Sequence, residues 1–219
     1  RYDMDGFEVD WLLRPFYFEE GEVESNTHIL TEFMRDVRRV TNEAADKRGR
    51  PIPLGARVLP TLSGNLAAGL DVHAWIKERL LDFVVPNFYI DHQIDSDFPF
   101  EWLVDLASPA GCKVYPALQS RVGRPMEHDV EFEGQHDATP AHYYAGAAAY
   151  WSKGADGIYL PWFKWPLGSE QPVSPLQRTP PEGATITANT TPSSWYGDAS
   201  LISALLIRVA SQGKPLSVL

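Results

Sequence analysis

The stretch Tyr2-Asp3-Met4-Asp5-Gly6-Phe7-Glu8-Val9-Asp10-Trp11-Leu12-Leu13-Arg14-Pro15 decides how the rest of the chain is read. From Tyr2 to about Leu12 it is strand-like, and strand alternation puts Phe7, Val9 and Trp11 on one face and Glu8 and Asp10 on the other. Two residues along a strand rise about 6.6 Å, so the two carboxylates project in one direction, close enough to perturb each other's titration.

Outward from this strand, apolar residues at Ile29, Leu30, Phe33, Met34, Val37 and Val40 recur at three and four, the spacing of a helix. Ser25 to Thr27 supply cap chemistry at its start and Gly49 a stop. A strand follows near Ile52 to Leu59, then a short helix capped by Asp71, then a buried strand over Leu81 to Tyr89. A helix over Phe98 to Ala107, closed by Gly111, leads to a strand over Lys113 to Leu118. Thr139 and Pro140 open an alanine-rich helix ending at Gly154, and Ile158 to Trp162 is a fifth strand. Asp198 caps a last helix through Leu201, Leu205, Leu206 and Val209, stopped by Gly213.

Strand-then-helix units in series predict an α/β domain with parallel strands, because parallel neighbours need a crossover. The order of elements fits either an open doubly wound sheet or a (β/α)8 TIM barrel. No GxGxxG or GxxxxGK[ST] motif follows any strand, which favours the barrel. Two long connections, 121–138 and 166–196, both follow a strand and precede a helix, the side on which barrel enzymes bind substrate. The first is acidic, with Glu127, Asp129, Glu131, Glu133 and Asp137; the second is rich in Pro, Thr and Ser.

If the acidic side of the first strand faces a barrel interior, Asp10 meets substrate and Glu8 lies one layer below. The other role for Glu8 is an ion pair with a buried arginine, Arg57 of the next strand. Asp91, just after the third strand, is the first choice for a second carboxylate, ahead of the acidic loop from Glu127 to Asp137 and of Glu8 itself, its alternative being an exposed turn residue. Arg14, Arg57, Asn87, Tyr89, His92, Gln119 and Arg121 all fall at or just past strand ends and form the expected substrate-binding set. Trp162 and Trp165 open the second long loop, where rigid aromatic faces suit the C–H faces of sugar rings. Phe16, Tyr17 and Phe18 occupy the corresponding loop after the first strand. No HxH or HExxH spacing occurs among the histidines, so neither a metal nor another cofactor is expected.

The run from Tyr2 to Phe18, with its Asp-Gly-x-Glu-x-Asp-Trp-x-x-Arg-Pro pattern, resembles the fourth-strand signature of the glycoside hydrolase-like (β/α)8 families. Gly69 to Tyr89 is similar to their fifth helix and sixth strand, and Gly154 to Phe163 to their last strand. The resemblance implies that the chain is a single catalytic domain supplying about five βα units, strands 4 to 8, of a barrel. It implies carboxylate acid/base hydrolysis of a poly- or oligosaccharide; the alternative is a non-catalytic glycan-binding barrel. The strand-end arginines would suit an anionic polysaccharide. Chitinase-type hydrolases carry DGxDxDxE on the equivalent strand; here Glu8 and Asp10 stand at the two Asp positions and Leu12 where the catalytic Glu belongs. Any proton donor must therefore come from elsewhere. The expected partners are a carbohydrate substrate and the N-terminal part of the barrel, with Arg1 internal to a longer product. A polysaccharide substrate favours a secreted or periplasmic location.

Composition agrees. In 219 residues, 44% are hydrophobic and 22% charged, a globular balance. A formal charge of −10 repels phosphate backbones and anionic membrane surfaces, and no apolar run is long enough to span a bilayer. Cys112, the single cysteine, is expected to be buried and inert.

Overall fold

Helix and strand alternate because apolar runs are punctuated at regular intervals by capping and left-handed residues. The computed structural model describes residues 4–12, 15–88, 93–123, 136–161, 184–185, 205–207 and 210–211. In chain order its elements are β1 (Phe7–Asp10), α1 (Val23–Arg48), β2 (Leu54–Val58), α2 (Leu62–Ala67), α3 (Val72–Lys77), β3 (Phe83–Pro86), α4 (Glu101–Ala110), β4 (Lys113–Val114), β5 (Arg121–Val122), β6 (His136–Asp137), α5 (Pro140–Ser152), β7 (Ile158–Leu160), β8 (Ala184–Thr185), β9 (Leu205–Ile207) and β10 (Ala210–Ser211).

Most helix ends obey local chemistry. Gly49 and Gly111, at φ 70° and 76°, turn the chain out of α1 and α4 through the left-handed region. Asp71 accepts the Ala74 N–H at 2.9 Å, and Thr139 caps α5 with Pro140 in its first turn. The start of α1 departs from expectation. The helix begins at Val23, and the hydroxyls of Ser25 and Thr27 donate to the carbonyls of Glu22 and Val23, both at 2.9 Å. Hydroxyls spent on the preceding turn do not cap. Helix α2 is too short to show a period in sequence; Thr61 caps it, and its buried Asn65 pins the chain leaving β2 through Leu59 and Thr61.

The central sheet runs in the order β1-β2-β3-β4, all parallel. A parallel bridge between Ala117 and Tyr159, with the Leu118 N–H donating to the Tyr159 carbonyl at 2.8 Å, brings β7 alongside. The order never reverses, so crossovers of one hand leave every described helix on the same face. That face holds the main core: Met34 of α1, Trp75 and Ile76 of α3, Leu103 of α4 and Tyr150 of α5 pack on Leu54, Ala56, Val84, Val114 and Ile158. The opposite face carries a small cluster of Val85, Tyr115, Ala117 and Tyr159, with Phe83 packed against it and no helical residue. A doubly wound sheet, with helices on both faces, is not what these strands form; nor is the sheet closed among the described residues.

The sheet curls toward its helix-free face. Laid flat, β1 and β7, with three strands between them, would stand about 19 Å apart. The Tyr159 hydroxyl nevertheless donates to Oε1 of Glu8 at 3.1 Å. One device recurs where strands begin. Asp82, just before β3, accepts the Leu54 N–H of β2 at 2.7 Å, and Asp156, just before β7, accepts the Val114 N–H of β4 at 3.0 Å. Each satisfies a backbone donor near the start of a neighbouring strand.

Two expectations are corrected, and one expected helix is less buried than its apolar spacing suggests. In α1, Met34 is buried together with Thr31 and Thr41, but Ile29, Phe33 and Val40 remain half-exposed. Among the described elements, α1 contacts α2 and α3. The last helix is absent where it can be judged, because Leu205–Ile207 runs antiparallel to β7 and Ala210–Ser211 pairs with β8. Three adjacent apolar residues suit a buried strand as well as a helical turn, and the open edge of β7 offers backbone partners that a helix would not use. Finally, the connection 121–138 is not all loop, since its two ends pair as an antiparallel ribbon, Arg121 with Asp137 and Val122 with His136. The connection 166–196 lies outside the described residues except for β8. No described helix is long and apolar enough to cross a membrane.

Candidate functional site

Strand alternation decides which side chains reach the concave, helix-free face. Val9 and Trp11 of the first strand pack with the helices, so Glu8 and Asp10 turn the other way. On β2, Leu54, Ala56 and Val58 face the helices, which leaves Gly55 and Arg57 on the concave side. The Phe83 ring of β3 covers Gly55 so closely that a Cβ there would lie 2.1 Å from it.

Arg57 is the centre of this face and is only 4% exposed. Its Nη1 donates to Asp10 Oδ2 at 2.9 Å and its Nη2 to Glu8 Oε1 at 2.8 Å, so one guanidinium holds both carboxylates. Nη2 also reaches the Tyr159 hydroxyl, and the guanidinium lies over the Tyr159 ring at 4.8 Å from its centroid. Asp10 Oδ1 accepts the Leu12 N–H at 2.9 Å, which fixes the carboxylate at the strand's C-terminal end.

Burial raises the Glu8 carboxyl above the ordinary glutamate range, against the pull of the Arg57 charge and of the Tyr159 hydrogen bond. Burial also raises the Tyr159 hydroxyl, reinforced by the Glu8 charge, so it acts as a neutral donor. The resulting set is a carboxyl that holds its proton more tightly than usual, a second carboxylate two residues along the strand, a fixed cation and a hydroxyl. Groups of this kind are suited to moving a proton at a bound ligand.

One step nearer the C-terminal ends of the strands lies a second polar pair. Asn87, two residues beyond Val85, and Gln119, two beyond Ala117, keep the concave-face parity, and Gln119 Nε2 donates to Asn87 Oδ1 at 2.5 Å. Gln119 is 2% exposed, and its Oε1 has no hydrogen-bond partner among the described residues. The same is true of Arg57 Nε.

Of the residues picked out in sequence, the structure brings Glu8, Asp10 and Arg57 together, and Asn87 with Gln119. The Glu8–Arg57 ion pair named as the structural alternative is present. Arg121 lies in the ribbon, bridged to Gln93. Arg14, Tyr89, Asp91, His92, Trp162 and Trp165 lie outside the described residues. Of the aromatics after the first strand, Tyr17 packs edge-on against Trp11 and donates to its carbonyl at 2.5 Å, while Phe16 is 81% exposed. Tyr159 was missed in sequence. Its signal was parity: Ile158 and Leu160 face the helices, so the residue between them faces the site. Among the described residues no three His, Cys, Asp or Glu side chains gather as a metal site.

Compared with known proteins, the chain matches no family model and no curated protein.

Proposed function

We propose that the protein is a glycoside hydrolase-like enzyme on a (β/α)8-type barrel, acting on a poly- or oligosaccharide through carboxylate acid/base chemistry. The observation that carries this reading is the Glu8–Arg57–Asp10 arrangement, two carboxylates on one strand held by a single buried arginine at the concave face. Hydrolysis of a glycosidic bond takes one group to protonate the leaving oxygen and a carboxylate to activate water or attack the anomeric carbon. Asp10, at the strand end, is the group placed to touch substrate; Glu8 or Asp91 supplies the second carboxyl. Sequential parallel strands, helices on one face and a sheet curled until side chains of its first and fifth strands touch all support the barrel. Further βα units pairing along the outer edge of β1 would complete it and cover Ile29, Phe33 and Val40.

A specific observation favours a second reading, a non-catalytic glycan-binding barrel. Arg57 occupies both carboxylates, and Leu12 stands where a chitinase-type acid would be. Asp10→Asn separates the two. The enzyme reading expects glycan turnover to fall at least about 1,000-fold with affinity little changed. No cleavage of any polysaccharide in a broad panel by the unaltered protein would leave the binding reading standing.

A further inference from the structure

We infer that the ligand of the concave face is an uncharged sugar, and that Gln119 selects it by accepting a hydroxyl hydrogen bond. This rests on the glycan reading above and names its substrate class. Two buried groups carry the argument because they are unsatisfied in opposite senses. Gln119 Oε1 is an acceptor without a donor, and Arg57 Nε is a donor without an acceptor. Buried polar atoms are almost always paired, so such atoms on one face mark where a ligand completes the bonding. A hydroxyl both donates and accepts. Carboxylate, sulfate and phosphate oxygens only accept, and would meet Gln119 Oε1 with like partial charge. An ammonium only donates, and would meet the Arg57 guanidinium with like charge.

The charge of the site points the same way. Arg57 is already shared between Glu8 at 2.8 Å and Asp10 at 2.9 Å, which leaves its charge spent on the protein's own carboxylates. Asn87 and Gln119, which lie beyond it toward the strand ends, are neutral amides. Arg57 therefore does not serve as the anchor for an anionic polysaccharide that its position in the sequence suggested.

The test is calorimetric titration of the whole chain with tetrasaccharides. The probes are neutral glucose, mannose, galactose and xylose tetramers in both anomeric linkages, with galacturonate, glucuronate and glucosamine tetramers beside them. The expected result is a neutral tetramer bound at least about tenfold more tightly than any charged one, a ratio read without any variant. Gln119→Met, which keeps side-chain volume, should weaken that neutral tetramer about tenfold and narrow its lead over the uronates. A charged tetramer bound as tightly as the best neutral one overturns the inference, as does unchanged selectivity in a folded Gln119→Met protein. Cleavage of a uronate polymer without affinity for neutral tetramers overturns it while leaving the hydrolase reading intact. Neither binding nor cleavage of any probe overturns both.

Discussion

The Tyr159 hydroxyl donates to the Glu8 carboxylate at 3.1 Å across 151 residues of chain. This bond joins the first and last strands of a five-strand parallel run, and Arg57 of the second strand reaches both of its ends. A single buried guanidinium thus ties the first, second and last strands of the run together at the inner face.

Removing that guanidinium should be costly. Arg57→Met leaves Glu8 and Asp10 side by side without their cation, and loss of one partner from a buried ion pair costs about 3–5 kcal/mol. The lower end is expected here, because the Asp10 side chain is 30% exposed. Urea unfolding measures the loss. Adding Glu8→Gln and Asp10→Asn to Arg57→Met should recover most of it, and no recovery would show that Arg57 acts through packing instead.

Stability should depend on pH through Glu8. Its carboxyl is raised in the folded protein, so the native state holds the proton more tightly than the unfolded chain does. The contribution is fully present below the unfolded value and is lost as pH climbs through the folded one. The wild-type protein should therefore lose stability relative to Glu8→Gln on going upward from about pH 4.5. The limiting slope is about 1.4 kcal/mol per pH unit. Paired melts of the two proteins across pH 4 to 8 read this difference directly; a gap that widens in the opposite direction would mean that the Arg57 attraction dominates burial.

Gly55 is held by space. A Cβ at this position would lie 2.1 Å from Cε2 and 2.2 Å from Cζ of the Phe83 ring, which is packed beneath the Arg57 layer. Gly55→Ala should cost about 1–3 kcal/mol by overpacking. Combining it with Phe83→Leu should be less damaging than the two separate losses added together, which a double-mutant cycle in urea would test.

Cys112 should be silent in the native state. It is 3% exposed, and burial, with Asp82 and Asp156 nearby, pushes its thiol up to about 12. Reaction with a thiol-specific chromogenic disulfide at pH 8 should proceed only at the rate of unfolding. Prompt labelling of the folded protein would place the thiol at the surface.

Much of this was legible in the residues. The helix stops at Gly49 and Gly111, the caps at Asp71 and Thr139, and the paired direction of Glu8 and Asp10 all follow from interactions within a few residues, where sterics and hydrogen bonding act alike in any fold. Arg57 could be named as a partner of Glu8 because consecutive parallel strands are usually neighbours. The choice between strand and helix at Leu205–Ile207 was beyond local reading, since three apolar residues satisfy either and the edge of β7 decided it.

Sequence by itself determined that Glu8 and Asp10 of the first strand project opposite to Val9 and Trp11, because alternation is a property of the backbone. Only tertiary structure decided that the acidic side of the first strand is the concave one and that Tyr159 closes over it. That outcome depends on how strands far apart in the chain pair and on the curvature they build up together, and no short stretch encodes either.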